Sequence, residues 1–218
     1  MRFAPMVVVA LLAQALVGCV SYTKSHRASL EQETIAYAGM HEFPFLEIAG
    51  RQRIEISPDS PSYGFDDGRS YFVAILIPQS APTYINLTSR PIGQWIPTSH
   101  VFLPMVLFLD ANHQVIGRMP PVLVHNPRFM RGFDFDGQAE IPEGARYVVL
   151  HSIPEVFGGR VPLFGKQPGD TRTVMVPTSG GGTFFAEMPD PASSTAVGPT
   201  GTIRVEFSSE RWEIPGVD

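Results

Sequence analysis

The chain has 218 residues, of which 44% are hydrophobic and 17% charged, with 20 Gly, 21 Pro and a single Cys. That composition excludes collagen, coiled coil and wholesale disorder, and the length suits one β domain or two small ones with a real core. A formal net charge of −5 with no basic run argues against nucleic acid or an anionic membrane face as partner.

Residues 1–18 read as a lipoprotein signal peptide. Arg2 supplies a positive start, Met6 to Leu16 is almost purely apolar, and Leu16-Val17-Gly18-Cys19 closes the run. The stretch is too short to span a bilayer comfortably. Those four residues resemble the lipobox of bacterial lipoproteins, which implies a mature chain beginning at Cys19 and lipidated there, palmitate among the acyl chains. Each buried methylene of such an anchor contributes about 0.8 kcal/mol. Val20 and Ser21 follow the Cys with no Asp in the usual inner-membrane retention position, so the resemblance implies a periplasmic protein held on the outer membrane. With the only Cys at the lipidation site, no disulfide is expected and stability must come from packing.

Residues 19–42 read as a tether with a short helix, in which Leu30, Ile35 and Tyr37 stand among Glu31 and Glu33. From residue 43 to the end, short apolar runs are broken by Pro, Gly, Asp and Asn. This is the pattern of an all-β fold, a single antiparallel β-sandwich of the jelly-roll or carbohydrate-binding-module kind. Strands are expected at Arg53 to Ile56, Tyr71 to Ile77, Tyr84 to Thr88, Pro121 to His125, Arg128 to Phe135, Arg146 to His151 and Gly201 to Phe207. Pro104 in the middle of Val101 to Leu109 predicts an edge strand, a bulge or two pieces. Asp110 to His113 predicts a hairpin turn into Gln114 to Met119. Between about 153 and 199 the composition shifts to Gly, Pro, Ser and Thr, a long loop with strand-like pieces only at Thr173 to Val176 and Thr183 to Met188.

The chemistry-bearing residues are few. The histidines at 26, 41, 100, 113, 125 and 151 have no pair at zinc spacing, and only His125 and His151, at strand ends, are candidates to meet across a sheet. Asp134-Phe-Asp136-Gly137 resembles the opening of a calcium loop but lacks the third acid and the distal Glu, so a turn ending a strand is the favoured reading. Asp66-Asp67-Gly68 reads as a turn. No nucleophile elbow, His-Glu-x-x-His helix or phosphate-cradling loop is present, and Ser179-Gly-Gly-Gly182 reads as a hinge, so no enzyme, metal or cofactor is expected. Trp95, Trp212, Tyr63, Tyr71 and Tyr84 raise the question of sugar binding, because an aromatic face packs against a pyranose while polar neighbours satisfy its hydroxyls. Trp95 lies between Gly93 and Pro97, and Trp95, Tyr84 and Tyr63 are the expected carbohydrate contacts.

The order of Val101-Phe-Leu-Pro-Met-Val-Leu-Phe-Leu-Asp110, Tyr147-Val-Val-Leu150, Pro189-Asp-Pro-Ala192 and Gly201-Thr-Ile-Arg-Val205 resembles the periplasmic maltose-operon proteins of the MalM type. The resemblance implies a non-enzymatic periplasmic protein that assists maltodextrin-type binding or uptake, and it assigns no site residues. The alternative expectation is a structural envelope lipoprotein that docks another outer-membrane or periplasmic protein through its sandwich edge and its long loop.

Overall fold

The computed structural model describes residues 26–34, 36–92, 99–120, 122–128, 132–162 and 194–212. Its strands are β1 (Phe45–Leu46), β2 (Gln52–Ile56), β3 (Ser62–Phe65), β4 (Gly68–Leu76), β5 (Tyr84–Arg90), β6 (His100–Val101) and β7 (Pro104–Leu109). They continue as β8 (Val115–Met119), β9 (Val122–Arg128), β10 (Gly132–Glu140), β11 (Tyr147–Ser152), β12 (Arg160–Pro162), β13 (Ser194–Val197) and β14 (Gly201–Ser208). One sheet, here sheet A, runs β1-β4-β11-β7-β8 with β3 attached to β4; sheet B runs β2-β14-β5-β10-β9; a small third sheet runs β12-β13-β6. All pairs are antiparallel except β1 with β4 and β13 with β6. The fold is therefore all-β and sandwich-like.

Period-two alternation decides what faces what. Tyr71, Val73 and Ile75 of β4, Val106 and Phe108 of β7, and Val148 and Leu150 of β11 meet Ile85 and Leu87 of β5 and Ile203 and Val205 of β14 in the main core between sheets A and B. The intervening residues of sheet A, Phe72, Ala74, Met105, Leu107, Leu109 and Val149, form a second core on its other face. Phe43, Phe65 and Ile153 close that face, with Tyr37, Met40 and Tyr63 packed around them. Burial on both faces explains why β4, β7 and β11 are near-continuous apolar runs. Sheet B packs one face against the main core, and its strands alternate apolar with polar.

Several sequence expectations are decided here. Pro104 opens β7, which pairs with both β11 and β8, so the run from Val101 is two pieces and β7 is not an edge strand. Proline is tolerated there as the first residue of the strand. Asp134, Asp136 and Gly137 lie inside β10, paired to β5 and β9, and not in a turn. Asp66 and Asp67 do turn the chain, in the tight hairpin from β3 into Gly68, whose φ is +114°. Asp110 makes the β7–β8 hairpin by accepting from the backbone N–H groups of Asn112 and Gln114, both at 2.8 Å. The stretch from 153 to 199 contributes β12 and β13; Thr173 to Val176 and Thr183 to Met188 lie outside the described residues.

The segment before the sandwich is attached to it. Residues 26–32 are helical, and Leu30 is buried in the main core. Arg69 of β4 donates to the carbonyls of Leu30, Glu31 and Glu33 at 3.2, 3.2 and 2.6 Å, a cationic cap on the carbonyls that a helix end leaves without partners. His26 reaches Thr200, just before β14, at 3.0 Å.

Candidate functional site

Because one face of sheet B takes the apolar residues of the main core, the other collects the polar residues of β2, β14, β5 and β10 in rows fixed by register, with Asn86, Asp134 and Thr202 among them buried. One row is Arg53, Arg204, Thr88 and Asp136; the next is Glu55, Thr202 and Arg90. Toward the other end lie Glu206, Asn86 and Gln138, then Ser208, Tyr84 and Glu140. Each of these alternates along its strand with a core residue, such as Ile203 and Val205 around Arg204.

The charges of this face are mostly compensated. Arg90 holds the buried Asp134 with two bonds, Nε to Oδ1 at 2.9 Å and Nη2 to Oδ2 at 3.2 Å. That contact holds Arg90 above its ordinary range against the opposing effect of burial, and it takes both Asp134 oxygens, which a calcium reading of the motif would need. Arg51 pairs with Glu206 at 2.6 Å. Arg53 donates to the Thr202 hydroxyl at 3.5 Å, and Arg204 has no hydrogen bond or ion pair among the described residues. Arg53, Thr88, Arg90, Thr202 and Arg204 line a shallow notch of about 10 Å³, room for one water-sized group.

At the far end of the face, Gln138 donates to Asn86 at 2.7 Å and accepts from the backbone N–H of Trp212 at 3.1 Å. It also donates to the carbonyl of Glu210 at 3.1 Å. The segment leading to Trp212 thus lies against the sheet near Tyr84, which is half-buried and pairs with Ser208 at the start of β5. From Tyr84 to Thr88 is four residues, about 13 Å along the strand.

The three expected carbohydrate contacts do not converge. Tyr84 stands on sheet B as described. Tyr63 belongs to the far side of sheet A, edge-on to Phe43 and Phe65 with ring centroids at 5.0 and 5.1 Å. The two tyrosines are separated by the whole sandwich and do not form one platform. Trp95 and Cys19 lie outside the described residues. Tyr71 is a core residue. His125 is in β9 of sheet B and His151 in β11 of sheet A.

A second polar group is buried under β3. His151 stacks on Phe65 at 4.0 Å with the rings 10° apart, and its Nδ1 lies 3.1 Å from the Ser152 carbonyl and 3.9 Å from Asp67. Arg118 reaches Asp67 at 2.6 Å. Burial pushes His151 down to about 4 and raises the Asp67 carboxyl, although Arg118 pulls the latter the other way. His151 is therefore neutral, and Nδ1–H donates to the Ser152 carbonyl. Its Nε2 has no hydrogen-bond partner among the described residues, and no part of the ring is exposed. His151 is fully buried, and the group is read as structural. His100 is likewise pushed down to about 4 by burial and by His26, with Thr200 between them at 3.3 and 3.0 Å.

Comparison of the chain with models of protein families, with curated proteins and with solved structures found no match.

Proposed function

We propose that this chain is a non-enzymatic, lipid-anchored protein of the bacterial envelope that binds a saccharide on the outer face of sheet B. The observation that carries the reading is the contiguity of that face. Thr88, Arg204 and Gln138 are set in register beside Tyr84, with the buried Asn86 and Thr202 holding Gln138 and Arg53 in place and the backbone of Trp212 against the same end. Polar side chains with fixed rotamer partners satisfy sugar hydroxyls, while an aromatic ring takes the apolar face of a pyranose. The face is shallow, which suits weak binding, millimolar to micromolar, in which only a few kcal/mol exceed the cost of association.

The lipobox-like run Leu16-Val17-Gly18-Cys19, with no Asp in Val20-Ser21 after it, supports the placement on the outer membrane. Six residues lie between Cys19 and the docked His26, so an extended link of seven Cα steps reaches at most about 25 Å and would hold the sandwich against the periplasmic side of the membrane. A maltodextrin-type ligand follows from the family resemblance. The test is a thermal-shift screen against maltodextrins and other envelope glycans. A saturable shift that is lost in Tyr84→Ala, with the fold intact, is the expected result; no shift across the panel would reject the reading.

A second reading has one specific observation in its favour. β8 is an edge strand of sheet A, and its Val115 and Ile116 are 48% and 40% exposed. An apolar edge of this kind pairs with an added strand of another protein. Crosslinking from intact membranes through a photoreactive group at Val115 tests it, and absence of any crosslinked partner would count against it.

A further inference from the structure

We propose that the notch between Arg53 and Arg204 is an oxyanion subsite, which takes the carboxylate, sulfate or phosphate group of an acidic saccharide lying along the outer face of sheet B. The inference rests on the saccharide reading above and narrows its ligand to a charged one.

The cross-strand pair is the starting point. Arg53 and Arg204 are Cα partners in the β2–β14 ladder, and like charges directly opposite each other in an antiparallel pair are unfavourable. Arg27, Arg51, Arg90 and Arg118 each hold a carboxylate, and Arg69 holds three carbonyls. Among the described residues Arg53 and Arg204 hold none, although Asp136 stands in their row and Glu55 in the next. Two arginines that are cross-strand partners and line one notch offer paired N–H donors, which a carboxylate or phosphate accepts.

The floor of the notch adds to this. Thr88, the partner of Arg204 on the side away from Arg53, and the buried Thr202 also line the notch, and the Thr202 oxygen accepts from Arg53. The volume of about 10 Å³ takes one oxygen of such a group and not a sugar ring, so the rest of the oxyanion stands at the mouth of the notch. The ring must therefore lie outside the notch, on the strip that leads through Asn86 to Tyr84. Glu55, Asp136 and the net charge of −5 oppose long-range attraction, so recognition acts at contact distance and disfavours an anionic bilayer.

The test is calorimetric titration of the full chain in detergent with an oligogalacturonate, a neutral maltodextrin and inorganic phosphate. Wild type is compared with Arg53→Gln, Arg204→Gln, the double variant and Arg51→Gln, whose arginine is engaged by Glu206; circular dichroism confirms each fold. Oligogalacturonate binding is expected to weaken about tenfold in each notch variant and further in the double, to be unchanged in Arg51→Gln, and to be competed by phosphate. Acidic saccharide binding that survives the double variant overturns the subsite. Maltodextrin binding without oligogalacturonate binding overturns the subsite and leaves the saccharide reading standing. Arginine-dependent phosphate binding with no saccharide bound supports the subsite and overturns the saccharide reading. No binding of any of the three overturns both.

Discussion

Arg53 and Arg204 face each other across the β2–β14 ladder with no carboxylate between them, whereas Arg90, two residues beyond the Thr88 partner of Arg204 on β5, is locked to the buried Asp134. The same residue type on one sheet face thus has opposite consequences for stability. Arg204→Gln removes a like-charge contact and is expected to raise stability by about 0.5 kcal/mol. Arg90→Gln strands a carboxylate that is 1% exposed, and is expected to cost about 2 kcal/mol, less than a fully buried pair because Arg90 itself is partly in water. Urea midpoints of the two variants, moving in opposite directions, are the check.

Gly201 opens β14 where no side chain fits. A Cβ there would sit 2.5 Å from the Cβ of Phe102, itself fully buried in the main core. Gly201→Ala is expected to cost about 3 kcal/mol through overpacking, visible as a lower melting temperature with the same denaturant m-value.

The docked helix depends on Leu30 and Arg69. Truncating Leu30, 2% exposed, to Ala is expected to cost about 3 kcal/mol. Arg69→Ala removes three hydrogen bonds to the helix end and is expected to expose residues 26–34 to protease while the sandwich stays protected. Limited proteolysis read by mass spectrometry distinguishes this from global unfolding.

Acid is expected to destabilise the protein through two histidines. His100 and His151 are held at about 4 in the folded chain against 6.5 when free, mainly by burial. Between these values the unfolded chain binds more protons, so the stability each neutral ring contributes is complete above about pH 6.5 and is lost as pH falls toward 4. Each contributes on the order of 2–3 kcal/mol over that window. The raised carboxyl of Asp67 acts in the opposite sense, since its protonation favours the folded state. Melting temperature should drop between pH 7 and pH 4.5, and His151→Gln should flatten the slope; a slope unchanged in that variant would assign the acid sensitivity elsewhere.

Much of the fold was legible in the chain because its strands carry strong local signals. Ile203, Val205 and Phe207 alternate with Thr202, Arg204 and Glu206, and that alternation alone assigns Arg204 to the solvent face of its strand. What it faces is Arg53, distant in sequence, and no local pattern reports a partner set by sheet order. The continuous run at β4 hid the second covered face of sheet A, so Tyr63 looked as available as Tyr84 although Phe43 and Phe65 enclose it. Asp134-Phe-Asp136-Gly137 looked like a turn by composition. Pairing on both sides kept it in a strand, and Arg90 supplied the charge that a cation would otherwise have provided.

The central claim is that a saccharide lies on the outer face of sheet B. Its most direct measurement is an amide ¹H–¹⁵N spectrum of the labelled full chain, titrated with maltodextrin and with oligogalacturonate. Saturable shifts confined to alternating residues of β5, β14 and β10, centred between Tyr84 and Thr88, are the expected result. Shifts confined to sheet A around Tyr63, or to the β8 edge, or none with either saccharide, would contradict it.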